Sequence, residues 1–109
     1  MLQKELFRFC QDRNIQVVAY SSLGSGHLLH DEGVSKACTR AGMDVPLALL
    51  RWGVQTGVCV LSKSSNHGRI QNMCPDFVLA KALPELLMTD LDACGNPAGK
   101  FCWDPKQLL

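Results

Sequence analysis

The sequence predicts an α/β domain in which two parallel β-strands are separated and flanked by helices. Two observations carry this expectation. The runs Ile15–Tyr20 and Val58–Leu61 are the only stretches with strong strand character, and helical periodicity fills the sequence before, between and after them. Strands separated by helices imply a parallel βαβ unit with a right-handed crossover. Two parallel strands buried on both faces each leave an unpaired edge, so the chain reads as part of a larger α/β fold.

Along the chain, the first element is helical. Leu2, Leu6, Phe9 and Cys10 fall at i, i+4, i+7 and i+8 and define one face of an amphipathic helix. Lys4, Arg8, Gln11 and Asp12 cover its other face. Asn14 is suited to a left-handed cap that ends this helix before the strand Ile15–Tyr20. Ser21 to Gly26 is a small-residue loop, and Val34–Ala41 forms a short helix ending near Gly42. Asp44 is an N-cap for Val45–Gln55, with Pro46 in the first turn. That run is nearly all apolar, with Arg51 and Gln55 one turn apart, and predicts a largely buried helix; Trp52 beside Arg51 reads as core. Gly57 closes it before the buried second strand, Val58–Leu61. Two more helices are expected over Gly68–Met73 and Pro84–Ala93, the latter with Leu83, Leu87 and Leu91 at helical spacing. Asp90 and Asp92 read as its solvated face, and residues 94–109 as an irregular tail.

Composition narrows the function classes. With 109 residues, 47% hydrophobic, 19% charged and a net charge of +1, the chain fits one globular domain over residues 1–109. It carries no electrostatic footprint for nucleic acid or for a membrane surface. No apolar run approaches the roughly 20 residues of a membrane span, and the N-terminus mixes charge into its apolar pattern too early for a secretory signal. A cytoplasmic protein is expected. Its six cysteines lack a C-x-x-C pair or regular spacing, which favours free thiols over a zinc ribbon or disulfide framework. His27 and His30 form an H-x-x-H pair, but Gly24 and Gly26 just before them favour a loop, so no metal site is expected. Gly24-Ser25-Gly26 begins like a dinucleotide fingerprint, yet Leu29 stands at the third glycine.

The stretch Val58–Arg69, VCVLSKSSNHGR, is the most informative. A short apolar strand ends in Ser62, Lys63, Ser64 and Ser65, and Arg69 comes one helical turn later. Lysine supplies a compact charge, serines supply hydroxyl donors, and arginine supplies a planar fork that grips a phosphate in bidentate fashion. If Asn66 caps the next helix, that helix's N-terminus faces the same anion. The same residues also describe a strand ending in a polar turn, and this stretch alone does not choose between the two.

Three segments, FCQDRNIQVVAYSSLGSG, LALLRWGVQTGV and VLSKSSNHGRIQNM, in this order and spacing, resemble the C-terminal part of the aldo-keto reductases. Members carry FC-x(4)-I-x-V-x-AYSPLG, then LLRW, then IPKS-x(4)-RI-x-EN, and FCWDP resembles the tail of many of them. The resemblance runs from about Leu2 to Pro105. It implies an incomplete (β/α)8 TIM-barrel fragment with about two parallel strands, since such barrels take roughly 250 residues. It also implies an NADP(H) site and a small carbonyl substrate in the intact enzyme. By resemblance Tyr20 stacks on the nicotinamide, and Ser21, Leu23 and Ser25 belong to the loop over the pyrophosphate. Lys63, Ser64 and Arg69 surround the adenosine 2′-phosphate, and Asn72 retains one contact near the adenine. Phe101, Cys102 and Trp103 in the tail become substrate-side candidates.

The chain departs from the family pattern at several positions. Ser22 and Ser62 replace prolines, His27 stands where aspartate is common, and Asn72-Met73 replace a Glu-Asn pair. The family's Asp, Tyr, Lys and His set for hydride transfer lies on motifs not present in these residues, so no catalytic residue is assigned. Beside the reductase reading stand a truncated, non-catalytic isoform that binds nucleotide or a protein partner through exposed strand edges, and a truncation that does not fold alone.

Overall fold

The structure is a computed structural model that describes residues 4–74 and 82–94. Its elements are α1 (Lys4–Gln11), β1 (Val18–Ala19), a 3-10 segment (Gly24–His30), α2 (Glu32–Arg40), α3 (Val45–Gln55), β2 (Cys59–Val60), α4 (His67–Asn72) and α5 (Glu85–Ala93). The strands form a two-stranded parallel sheet with Val18 opposite Cys59 and Ala19 opposite Val60. Cys59 N–H donates to Val17 O at 2.9 Å, and Leu61 N–H donates to Ala19 O at 3.0 Å. Both strands are shorter than the apolar runs that contain them. Ile15 N–H still donates to Cys10 O, and Val58 N–H to Gly53 O, so each run begins tied to the preceding helix.

The expectation of strands buried on both faces is corrected. Strand alternation puts Val17, Ala19, Val58 and Val60 on one face, where each is buried or half-buried. Val18, Tyr20 and Leu61 on the other face are 52%, 55% and 58% exposed, and no second layer of the described residues covers them. The covered face meets α3 closely. A Cβ at Gly53 would lie 2.6 Å from Val60 Cγ1, so the helix approaches β2 at a distance only glycine permits. The amphipathic face of α1 is also uncovered. Phe7 reaches Gly57, with Cζ at 3.5 Å from where a Cβ there would lie, but Leu6 and Phe9 are half-exposed and α1 buries no residue. The Arg13 guanidinium lies over the Phe9 ring, 3.8 Å from its centroid.

The main core lies between helices. Val34, Ala37 and Cys38 of α2 pack with Ala48 and Leu49 of α3 and with Leu83, Leu87 and Leu91 at and within α5. Helix α2 starts two residues before the expected Val34, because Asp31 is its cap and accepts Val34 N–H at 2.9 Å. Helix α3 occupies the expected span, with Asp44 accepting Leu47 N–H. It buries Ala48, Leu49, Leu50, Arg51 and Gly53. Gln55 pins the start of α5: its Oε1 accepts Leu83 N–H at 2.7 Å and its Nε2 donates to Leu83 O at 3.5 Å.

Asp90 and Asp92 are not merely a solvated face. Asp90 forms an ion pair with Arg40 of α2, and Asp92 accepts the Trp52 indole N–H of α3 at 2.9 Å. The two carboxylates tie α5 to both core helices, contacts between distant residues that helical periodicity does not encode. Of the expected irregular tail over residues 94–109, Cys94 is the C-cap of α5, and residues 95–109 lie outside the described residues. Among the described residues no helix is long and apolar enough to cross a membrane.

The close approach of α3 to β2 predicts the sign of a substitution. Gly53→Ala removes a residue unfavourable in helices by about 1 kcal/mol, but it drives a methyl into the stiff β-branched Val60. Overpacking wins, and urea unfolding is expected to show a net loss of about 1–3 kcal/mol. Val60→Ala in the same chain should recover part of it.

Two thiols in or against the core, buried Cys38 and half-buried Cys94, give a pH dependence. Burial first, then the charges of Cys94 and Asp44, push the Cys38 thiol above its ordinary value. Burial first, then Asp31 and Asp90, push Cys94 up, with Arg40 opposing. The folded chain therefore holds these protons more tightly than the unfolded chain. Their contribution is complete below the ordinary thiol value of 9.0 and is lost as pH rises above it. Denaturant midpoints in reductant should fall as pH rises past that value, and Cys38→Ala should flatten the fall.

Candidate functional site

Parallel pairing places the C-terminal ends of β1 and β2 side by side, and the chemistry-bearing residues leave from these two ends. From β1 the chain continues through Tyr20, whose side chain is more than half exposed. Ser21 comes next with a left-handed backbone, φ 51°, and its carbonyl accepts Gly24 N–H at 2.7 Å. Ser22 Oγ donates to Ala19 O at 3.2 Å, so the turn folds back on the strand it has just left. A proline at this position, usual in the resembling family, has no side-chain donor with which to make this bond.

The loop then winds into the 3-10 segment, which is kinked at Ser25 and Gly26, with φ of 53° and 93°. Gly24 N–H and Gly26 N–H are committed to the carbonyls of Ser21 and Leu23. The glycine amides of this loop therefore hold the turn together. Leu23 packs against the core cluster and anchors the loop, while Ser25 is exposed at its bend. His27 and His30, expected in a loop, lie in the 3-10 segment, and no group of three or more metal-binding side chains occurs among the described residues.

From β2 the chain continues through exposed Leu61, Ser62 and Lys63 to half-buried Ser64. Asn66 organises the next turn. Its N–H donates to Ser64 Oγ at 3.1 Å, and its Oδ1 accepts Arg69 N–H at 3.0 Å. Asn66 is thus the N-cap of α4, which starts at His67, one residue earlier than expected. The two bonds fix Ser64 and Arg69 relative to one another through a single residue. Lys63 and Arg69 are both exposed, and neither takes part in a salt bridge among the described residues.

Of the predicted site residues, the structure thus puts Tyr20, Ser21, Leu23 and Ser25 after β1, and Lys63, Ser64 and Arg69 after β2. Asn72 is the exposed last residue of α4, and half-buried Met73 is its C-cap. Phe101, Cys102 and Trp103 lie outside the described residues. The organising role of Asn66 goes beyond a cap. The legible signal is the spacing Ser64-x-Asn66-x-x-Arg69, in which one short residue reaches both ways.

No protein-family model matches the chain. The chain is 35% identical over 77 residues to the uncharacterized oxidoreductase YtbE of Bacillus subtilis (strain 168), covering 71% of this chain and 28% of that protein. It is 37% identical over 83 residues to aldo-keto reductase family 1 member C1 of Pongo abelii, covering 65% and 26% respectively. Among solved structures, a mutant of Gox0644 in complex with NADPH superposes with a TM-score of 0.83 at 26% identity, covering 97% of this chain and 38% of that one. The chain therefore spans about a quarter of the length of the curated relatives it matches.

The cap gives a local prediction. Asn66→Ala removes the cap bond and should cost about 1 kcal/mol of helix stability. In hydrogen exchange, the Arg69 and Ile70 amides should lose protection while those of α3 keep theirs; equal loss in both helices would contradict a local role.

Proposed function

The chain is a C-terminal part of an aldo-keto reductase, an incomplete (β/α)8 barrel, and on that premise we propose that its two strand ends form part of an NADP(H) site. The observation that carries this reading is the Ser64–Asn66–Arg69 relay beside Lys63. A hydroxyl, a point cation and a guanidinium held on one turn match the chemistry of a phosphomonoester, and neither cation has a carboxylate partner among the described residues. A neutral polar turn would need none of this charge.

In this reading Lys63, Ser64 and Arg69 hold the 2′-phosphate, with Asn66 as the residue that positions them. Tyr20 offers an exposed ring to the nicotinamide, and the Ser21–Ser25 turn, with Leu23 as its anchor, borders the pyrophosphate. Asn72 lies toward the adenine side. Bound there, the dinucleotide supplies the hydride for reduction of a small carbonyl substrate to an alcohol. This chain binds and orients; the group that protonates the carbonyl belongs to motifs these residues do not carry. The NADP(H) chemistry and five free thiols among the described residues fit a cytoplasmic setting.

The test compares two nucleotides. A hydrogen bond to a charged group contributes about 1.5–3 kcal/mol, so Arg69→Ala should weaken NADPH binding by about one to two decades. NADH, which lacks the 2′-phosphate, should be nearly unaffected. Equal weakening of both in a fluorescence titration would remove Arg69 from the phosphate site.

A further inference from the structure

On the premise that Lys63, Ser64 and Arg69 hold the 2′-phosphate, we infer that Ser65 is a phosphorylation site whose phosphate occupies the same cations and turns NADPH away. Residues 62–66 join β2 to α4 in neither strand nor helix, and all but Ser64 are exposed. Three hydroxyls lie on this link. Ser64 is half-buried, and its Oγ already accepts Asn66 N–H. Ser62 comes before Lys63 and is the farthest of the three from Arg69 along the chain. Ser65 is exposed, and its hydroxyl makes no hydrogen bond among the described residues. A nucleotide reaches Lys63 and Arg69 only if the intact protein leaves this turn open, so the premise that fills the site also keeps Ser65 accessible.

Charge makes the modified serine a competitor. A phosphoserine carries about −1.5 to −2 charges and three strong acceptor oxygens, and the 2′-phosphate is a phosphomonoester of the same kind. Lys63 stands two residues before Ser65, a span of at most about 7 Å of chain. The bond from Arg69 N–H to Asn66 Oδ1 keeps Arg69 on the same turn. Neither cation is in a salt bridge among the described residues. No Asp or Glu occurs from Arg13 to His30 or from Val45 to Pro75, so neither loop brings an acid to repel the phosphate. The other titratable side chains of these loops are Tyr20, His27, His30 and His67. A group tethered by one side chain acts at an effective concentration on the order of mM, which free NADPH must exceed to displace it. In the transfer, Ser65 Oγ bonds to the γ-phosphorus of MgATP and the bond from that phosphorus to the bridging oxygen breaks. ADP leaves, and the hydroxyl proton passes to the base of the serine kinase.

The experiment uses the 109-residue chain with phosphoserine encoded at position 65. By phosphorus NMR its second ionisation should lie at least about 0.5 pH units below the ordinary value of about 6, and Arg69→Ala should return it toward that value. This readout needs no nucleotide. In fluorescence titrations the phosphorylated chain should bind NADPH at least about 10-fold more weakly than the unmodified chain, with NADH changed less than about 2-fold. With MgATP and a serine kinase selective for basic flanks, peptide mass mapping should place the phosphate on Ser65, and Ser65→Ala should abolish it. An ordinary ionisation, unchanged NADPH binding, an equal loss of NADH, or labelling absent or confined to Ser62 or Ser64 overturns the switch alone. An unmodified chain that binds NADPH no better than NADH removes the cofactor reading, and the switch with it.

Discussion

Two backbone rungs, Cys59 to Val17 and Leu61 to Ala19, set the ends of β1 and β2 side by side, and every candidate contact depends on that register. Parallel pairing sends both chains out of the sheet in the same direction. Tyr20 and Ser62-Lys63, far apart in sequence, therefore leave from one edge. A one-residue slip of either strand would turn Tyr20 or Leu61 to the helix side and move Val60 away from Gly53. The glycine on α3 thus guards the register. The helix comes closest to Val60 at a residue with no Cβ.

The two loops that leave the sheet are built differently. After β1, the turn closes on its own carbonyls through Gly24 and Gly26, with left-handed backbones at Ser21 and Ser25. Those amides are spent on shape, so the loop can border a ligand chiefly through side chains. After β2, Asn66 does the organising and leaves Lys63 and the Arg69 side chain to carry charge. Charge is concentrated on the second loop and backbone strain on the first. The proposed NADP(H) site asks for the same division, one loop gripping a phosphate and the other bordering the rest of the nucleotide.

Stability is distributed unevenly. The dense packing lies among α2, α3 and α5, reinforced by the Gln55–Leu83, Trp52–Asp92 and Arg40–Asp90 links. Among the described residues the sheet is covered on one side only, and α1 hardly joins the core. A barrel fragment should behave in this way. Its helices still pack on their neighbours, whereas its strands lose the partners that a closed sheet supplies on both edges and in its interior.

The sequence alone determined the order of helices and strands, the parallel pairing, the Asp44 cap with the full span of α3, and the cluster of Ser62, Lys63, Ser64, Ser65 and Arg69 after the second strand. These are local patterns: periodicity, short polar caps and turn-forming residues act within a few positions. Whether the two faces of the strands are covered was decided only by tertiary structure, because burial depends on what else is present. The same holds for Asp90 and Asp92, whose partners Arg40 and Trp52 are distant in the chain, and for Gly53, whose meaning depends on where Val60 lies. Ser21 and Ser25 have left-handed backbones although nothing in their residue type demands it; the fold of the loop imposes that conformation.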